Sequence, residues 1–295
     1  MRLILNGKKA DLPEVRNAVT AQRDQGPIEV RVTWEGGDMA RLVSEALNEG
    51  CTRLVVGGGD GSVNEMVSAL MTYPREQRPP LAILPLGTAN DFAAACALPL
   101  DPDEALALAR EGRPRPVDVG SANERFFLNV ASGGFGARVT ATTPEALKNF
   151  LGGGAYTLNG LLQALSFEPY QGRLLTPEGS LENRILVGAV CNGRQAGGGQ
   201  PLAPNALLDD GLLDFVGLSA FGPQDLPQVL SELESPAPDN EFVIWMRLPW
   251  AEYQAEDPMP MNLDGEPLEA VPIRFQCHPG ALDLILPQAC PCLGG

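Results

Sequence analysis

The chain is poor in most of the residues on which common chemistries depend. It has one histidine, His278, in 295 residues. No Ser-His-Asp arrangement can be built around it, and beside Pro279 it reads as a surface or strand-end residue. Lysine occurs only at Lys8, Lys9 and Lys148, and the formal net charge is −16. Nucleic acids are bound by clustered Lys and Arg, so a nucleic-acid partner is not expected. Strong attraction to anionic lipid has no support from charge either. The six cysteines contain no CxxC pair, so neither a zinc site nor a disulfide framework is expected, and Cys290-Pro-Cys292 reads as inert. No apolar run reaches the roughly 20 residues that span a bilayer. The first apolar run, Arg2 to Asn6, is too short for a signal peptide and reads as a strand. Together these absences predict a cytoplasmic protein with reduced thiols, without a transmembrane segment.

What is present is glycine, 33 residues of it, placed with a pattern. The stretch Leu54 to Glu65 opens with Leu54-Val55-Val56, a run typical of a strand buried on both faces. Gly57, Gly58 and Gly59 follow, then Asp60, Gly61 and Ser62. A helical stripe of Val63, Met66, Val67 and Leu70 comes next. Strand, glycine turn and helix make a concave set of N–H donors suited to phosphate. The loop is not a Walker A motif, because no Lys follows the glycines. It is not a dinucleotide fingerprint, which needs GxGxxG and an acid about 20 residues on. A carboxylate at Asp60 is unfavourable among phosphate-binding amides unless it meets a metal ion or a donor.

The elements around this stretch alternate. Strands are predicted at Arg2–Asn6, Ile28–Thr33, Leu54–Val56 and Leu81–Leu84, and helices at Leu12–Gln25, Ala40–Asn48 and Asp101–Glu111. That order indicates a Rossmann-like parallel α/β sheet. Ligands of such sheets sit beyond the carboxyl ends of the strands, which places Thr33 on the ligand rim. Pro85 to Ala93 is a second polar loop at a strand end. Thr88 within it has two readings, a helix N-cap or a nucleotide contact. From Val117 onward short strands with turn residues dominate, which predicts a mainly antiparallel β-sandwich or distorted barrel. Strands are expected around Asp118–Gly120, Arg125–Val130, Arg173–Leu175, Ile185–Asn192, Leu213–Leu218, Glu241–Leu248, Pro260–Leu263 and Ile273–Cys277, with one main helix at Leu147–Leu165 and a loose loop at Ser235–Asn240. The expected domains are 1–117, 118–280, and a segment 281–295 that returns to the first.

Two acidic turns stand out in the second half. Leu207 to Asp214 is either a solvated β-turn or a loop for a hard cation, which takes carboxylate and carbonyl oxygens together. Asn262 to Pro267 contains Asp264-Gly265, a strong hairpin signal. It is either a plain hairpin tip or the carrier of a general base, Glu266. Gly197 to Gly199 is a further glycine loop, readable as a lid or as the lip of a cleft.

Taken together, Arg31 to Glu35, Gly57 to Glu65, Pro85 to Ala93, Leu207 to Leu212 and Asn262 to Pro267 resemble the diacylglycerol kinase catalytic family. The closer resemblance is to bacterial lipid kinases of the YegS type. The motifs fall in family order and span nearly the whole chain; Ser62 stands where Thr is common. The resemblance implies an ATP-dependent lipid kinase acting at a membrane surface, with the active site between an ATP-binding α/β domain and a β-rich domain. It implies that Thr33, Gly59, Asp60, Gly61, Ser62, Val63, Asn64, Glu65 and Thr88 contact ATP, and that Glu266 is the proton acceptor. It further implies that the carbonyls of Leu207 and Leu212, with Asp210, hold Mg²⁺ or Ca²⁺. A separate catalytic Mg²⁺ on ATP is expected, with Asp60 and Asp91 as candidates for its shell. Phosphatidylglycerol or a diacylglycerol-like lipid is the implied acceptor. An NAD-kinase-like enzyme and a non-catalytic nucleotide-binding module are the alternative readings.

Overall fold

A computed structural model describes residues 1–134, 161, 165, 168–234, 237, 239–255 and 258–294. The chain divides into two compact units. The first comprises Met1–Val119, Leu208–Asp210 and His278–Gly295, and the second Gly120–Leu207 and Gly211–Cys277.

In the first unit, strands β1 (Arg2–Asn6), β2 (Glu29–Thr33), β3 (Leu54–Gly58) and β4 (Leu81–Pro85) alternate with helices α1 (Pro13–Arg23), α2 (Asp38–Asn48) and α3 (Asp60–Met71). After β4 come α4 (Asp91–Ala95) and α5 (Pro102–Glu111). All four strands are parallel, in the order β4-β3-β1-β2. Leu54, Val55 and Val56 have no exposed surface, as a strand covered on both faces requires. Leu3, Leu5, Val55 and Leu84 form one core with Val15 and Val19 of α1 and Leu106 of α5. Pro13 and Pro102 stand in the first turns of α1 and α5, where a missing N–H costs nothing. The Asp101 carboxylate caps α5 by accepting from Asp103 and Glu104 N–H at 2.9 and 3.1 Å.

The remaining elements are β5 (Pro114–Ala122), β6 (Arg125–Phe127), β7 (Val130–Gly134), β8 (Tyr170–Thr176), β9 (Gly179–Cys191), β10 (Gln195–Ala196), β11 (Gln200–Pro201), β12 (Leu213–Ser219), α6 (Leu226–Glu234), β13 (Val243–Leu248), β14 (Trp250–Ala255), β15 (Met259–Leu263), β16 (Glu266–Ala270) and β17 (Ile273–Ile285). In the second unit the pairings are antiparallel. Strand β9 organises it: Gly179 to Ile185 pairs β8, Val187 to Cys191 pairs β7, and Ile185 to Cys191 pairs β12 on the other edge. One apolar cluster gathers Phe215, Tyr253, Met261 and Phe275, with Phe215 and Phe275 edge to face at 6.1 Å. Another gathers Leu186, Val187, Val229 and Phe242 beside α6. The α/β class and the antiparallel sandwich-like second half are as the sequence implies.

Three local expectations need correction. Leu226–Glu234 is a helix that the sequence reading omitted, and Trp250–Ala255 is an omitted strand. Alternation is visible in that strand, where Ala251 and Tyr253 are buried. His278 is half-buried and lies inside β17 rather than at a strand end, and burial first, then Arg78, lowers its pKa. The helix expected over Leu147–Leu165 lies outside the described residues except at Leu161, which is helical and fully buried, and Leu165. The Ser235–Asn240 loop is likewise only partly described.

Candidate functional site

The carboxyl rim of the parallel sheet carries the first group of site residues. Asn6 is in register with Thr33, Leu5 with Gly57, and Gly58 with Pro85, so four strand ends line one edge. At β3 the chain passes through Gly59 directly into α3. The first intrahelical bond there runs from Val63 N–H to the Gly59 carbonyl at 3.1 Å. The amides of Asp60, Gly61 and Ser62 thus stand at the open end of a 12-residue helix, where backbone donors and the helix dipole favour an anion.

The second loop, Gly87 to Asn90, lies against the first. A Cβ on Gly87 would stand 2.5 Å from the Gly59 Cα, so the backbones touch where only glycine fits on both sides. Asn90, in the left-handed region at φ 52°, closes its own loop: its Oδ1 accepts from Gly87 N–H at 2.8 Å and its Nδ2 donates to the Gly87 carbonyl at 3.0 Å. Asp60 bolts the two loops together. Its carboxylate accepts from the N–H groups of Asp91 and Phe92, each at 3.2 Å. The donor that a carboxylate needs in this setting is therefore backbone. Replacing Gly87 by Ala is expected to push the loops apart and weaken nucleotide binding at least about fivefold, since overpacking a tight contact costs roughly 1–3 kcal/mol. Calorimetric titration with ATP measures it, and unchanged affinity would remove this contact from the site.

The structure sorts the other first-unit candidates by exposure. Thr88 and Glu65 are exposed and Thr33 is half-buried, whereas Ser62, Val63 and Asn64 are buried. The Val63 and Asn64 side chains face protein, so these residues can offer only backbone to a phosphate. Asn64 Oδ1, an acceptor, is buried without a hydrogen-bond partner. Ser62 Oγ accepts from Asn6 Nδ2 at 3.0 Å. The sequence reading missed Asn6, although a polar residue ending an apolar strand on the rim is a usable signal. Thr33 Oγ1 donates to the Leu5 carbonyl at 3.4 Å, which holds it to β1.

The turn after Thr33 is fixed by Asp38. Its carboxylate accepts from Trp34 and Glu35 N–H at 2.6 and 3.1 Å and pairs with Arg41 at 2.7 Å. The Arg41 hydrogen bond first, then these two amides, lower its pKa from 3.8 to about 2. A depressed carboxylate stabilises the fold above its unfolded pKa and loses that contribution as pH falls through the folded one. Urea unfolding should therefore show a wild-type stability advantage over Asp38→Asn at pH 5 that shrinks as pH falls from about 4 to 2. A pH-independent difference would contradict this.

In the second unit, Glu266 is exposed and begins β16, in register with Leu263 across a two-residue turn. Asp264 and Gly265 form that turn with φ of 49° and 105°, the double positive φ of a type I′ hairpin. The sequence reading treated Asp264 as a turn former only. In the structure its carboxylate accepts three backbone N–H bonds: Leu128 at 2.7 Å, Asn129 at 3.0 Å and Val130 at 2.7 Å. Asn192 extends the frame by donating Nδ2 to the Leu128 carbonyl at 2.7 Å. The turn of the Glu266 hairpin is thus clamped to the start of β7. Gly197 to Gly199, all at positive φ, form the turn between the short strands β10 and β11.

The acidic segment falls where the chain changes units. Leu208, Asp209 and Asp210 count with the first, Leu207 and Leu212 with the second. Asp118 N–H donates to the Leu208 carbonyl at 2.6 Å, and Asp209 Oδ1 accepts from Gly294 N–H at 2.7 Å. Gly211 takes φ 74° beside half-buried Asp210. Backbone carbonyls at Leu207 and Leu212 and the Asp210 carboxylate are hard oxygen donors of the kind Mg²⁺ and Ca²⁺ take.

Comparison with known proteins places this geometry. The diacylglycerol kinase catalytic domain family matches residues 1–122, and the YegS C-terminal NAD kinase beta sandwich-like domain family matches residues 129–286. A "Probable lipid kinase YegS-like" of Shewanella frigidimarina is 49% identical over 99% of this chain and 96% of its own. One of Pseudomonas aeruginosa, with the same description, is 48% identical over 99% and 95%. Among solved structures, a "putative diacylglycerol kinase from Bacillus anthracis str. Sterne" superposes with a TM-score of 0.80 at 26% identity, covering 98% of this chain and 95% of that one. The glycine loops and the Asp264–Glu266 hairpin are therefore set in a chain that belongs to the YegS-like family, with a diacylglycerol kinase catalytic domain followed by a YegS-type β-sandwich-like domain.

Proposed function

We propose that this protein is an ATP-dependent lipid kinase that moves the γ-phosphoryl group of ATP to a lipid hydroxyl, with phosphatidylglycerol or a diacylglycerol-like lipid as acceptor. The observation that carries the proposal is the pair of glycine loops clamped by Asp60 at the rim of a parallel sheet, in a chain whose curated relatives are named probable lipid kinases. Phosphoryl transfer asks for positioning and charge neutralisation rather than covalent chemistry. The amides of Gly59 to Ser62 hold phosphate oxygens, and Thr33 and Thr88 add polar contacts on the same rim. Glu266 orients the lipid hydroxyl and takes its proton as the oxygen bonds to the γ-phosphorus. The bond to the β–γ bridging oxygen breaks and ADP leaves. A divalent cation on the phosphates, when bound, spreads the negative charge that builds on them. Asp91 is a candidate for its shell, and Asp210 with the Leu207 and Leu212 carbonyls is the proposed seat of a second, structural ion.

No helix among the described residues is long and apolar enough to cross a membrane. The reading is accordingly of a cytoplasmic enzyme that meets its lipid at the inner membrane face. The test is mass spectrometry of bacterial lipid extract incubated with the purified protein, ATP and Mg²⁺, run beside NAD⁺ as a soluble acceptor. A phosphorylated glycerolipid is the expected product. Phosphorylated NAD⁺ with unchanged lipids would move the chain to the NAD-kinase reading. ATP binding without turnover on either would leave a nucleotide-binding module.

A further inference from the structure

Three cysteines that are distant in sequence meet in the first unit. The thiol sulfurs of Cys96, Cys290 and Cys292 all lie within 4.8 Å of one another. Their relative exposures are 0%, 7% and 1%. Cys96 follows the last residue of α4, and the other two come from the turn at the chain's tail, with Pro291 between them. The Cys292 thiol also donates to the Ala95 carbonyl at 3.2 Å, so a backbone oxygen lies beside the sulfurs. The absence of CxxC had set zinc aside, but a CxC pair joined by one distant cysteine supplies the same donors.

We propose that Cys96, Cys290 and Cys292 form a buried three-thiolate site for a thiophilic divalent cation, zinc above all, which pins the tail to α4. Zinc bonds thiolate sulfur at about 2.3 Å, which sets sulfurs roughly 3.8–4.0 Å apart, so the trio needs only a small contraction. Three thiols release three protons to solvent as they bind one Zn²⁺, leaving a complex of charge −1; the Ala95 carbonyl is the neighbouring candidate for a fourth position. Soft sulfur donors select against Mg²⁺ and Ca²⁺, so this site is chemically separate from the oxygen donors at Asp210. Hydrogen bonding with the Cys290 and Cys292 thiols first, then burial, raises the Cys96 pKa. The tail that carries two of the ligands also makes other contacts within the unit. Leu208 N–H donates to the Cys292 carbonyl at 2.8 Å, and Gly294 N–H to Asp209. The first two amides of α4, at its other end, are those held by Asp60. The bound ion therefore braces both the tail contacts of the acidic segment and the far end of the helix that follows the second glycine loop. This inference does not depend on the kinase reading.

The test uses the full chain, unfolded in reducing denaturant and refolded with one equivalent of Co²⁺ so that burial does not limit access. The expected result is a sulfur-to-cobalt charge-transfer band that one equivalent of Zn²⁺ bleaches, and a zinc-dependent rise in melting temperature. Both should vanish in Cys290→Ser/Cys292→Ser and survive in Cys51→Ser and in Cys277→Ser. Circular dichroism of the double variant confirms that it folds, and single Cys290→Ser serves if it does not. A folded, reduced wild type without the band overturns the site, as does a band that persists unchanged in the double or single tail variant.

Discussion

Glu266→Gln is expected to lower kcat by about 10²–10⁴-fold while leaving ATP affinity unchanged, the range by which a positioned general base accelerates proton transfer. The substitution is nearly isosteric and the residue is exposed at the end of a hairpin turn, so folding should be little affected. The amide keeps an oxygen that can accept a hydrogen bond from the lipid hydroxyl, but it cannot take the proton. Orientation and proton acceptance are thereby separated. If orientation dominates, as a loose phosphoryl-transfer transition state allows, the loss will fall near the lower figure. Nucleotide contacts are assigned to the first unit, so ATP binding by calorimetry should match wild type. Initial rates of ADP release with lipid present measure the loss. A variant keeping more than about a hundredth of wild-type kcat would fall below the general-base range and place proton acceptance elsewhere.

The parts of this fold that were legible are those encoded within a few residues. Leu54 to Val56 and Leu81 to Leu84 read as strands because short, wholly apolar runs covered on both faces need no partner to be recognised. Asp264-Gly265 read as a hairpin because a type I′ turn accepts few other pairs. What stayed hidden are roles set by partners far along the chain. Asp60 called for a metal ion or a donor without saying which; the donors are amides 31 and 32 residues later. Asp264 serves amides 134 to 136 residues earlier, a pairing that spacing cannot reveal. Cys96 meets the tail only because the last stretch of β17 runs beside β4, with Leu284 against Leu81. Helix α6 has no local start signal as clear, because Pro223 and Pro227 flank and enter it. Proline is tolerated in a first turn, and Pro227 occupies one while Val229 and Leu230 pack inward.

Asp264→Ala is expected to be the most destabilising of these changes and to cut turnover as well. Leu128, Asn129 and Val130 are at most 5% exposed, and their N–H groups all donate to this one carboxylate. A buried donor left without its acceptor costs about 1–3 kcal/mol, and entry of water into the truncated site recovers part of that, so a net loss of about 3 kcal/mol is expected. For a unit of this size that corresponds to a fall in Tm of roughly 6–12 °C. Ala also carries the cost of φ 49°, which Asn accepts more readily than other non-glycine residues. Asp264→Asn should accordingly fold better than the Ala variant but remain below wild type, because only one of its two terminal atoms accepts. The Glu266 hairpin depends on the same clamp, so kcat should fall in both variants at 20 °C, well below their melting points, with ATP affinity retained. A purely structural role for Asp264 would lower Tm and leave kcat at 20 °C untouched. Thermal melts and turnover assays on the three proteins decide the matter, and an Ala variant melting within 1–2 °C of wild type would show that the three amides find other acceptors.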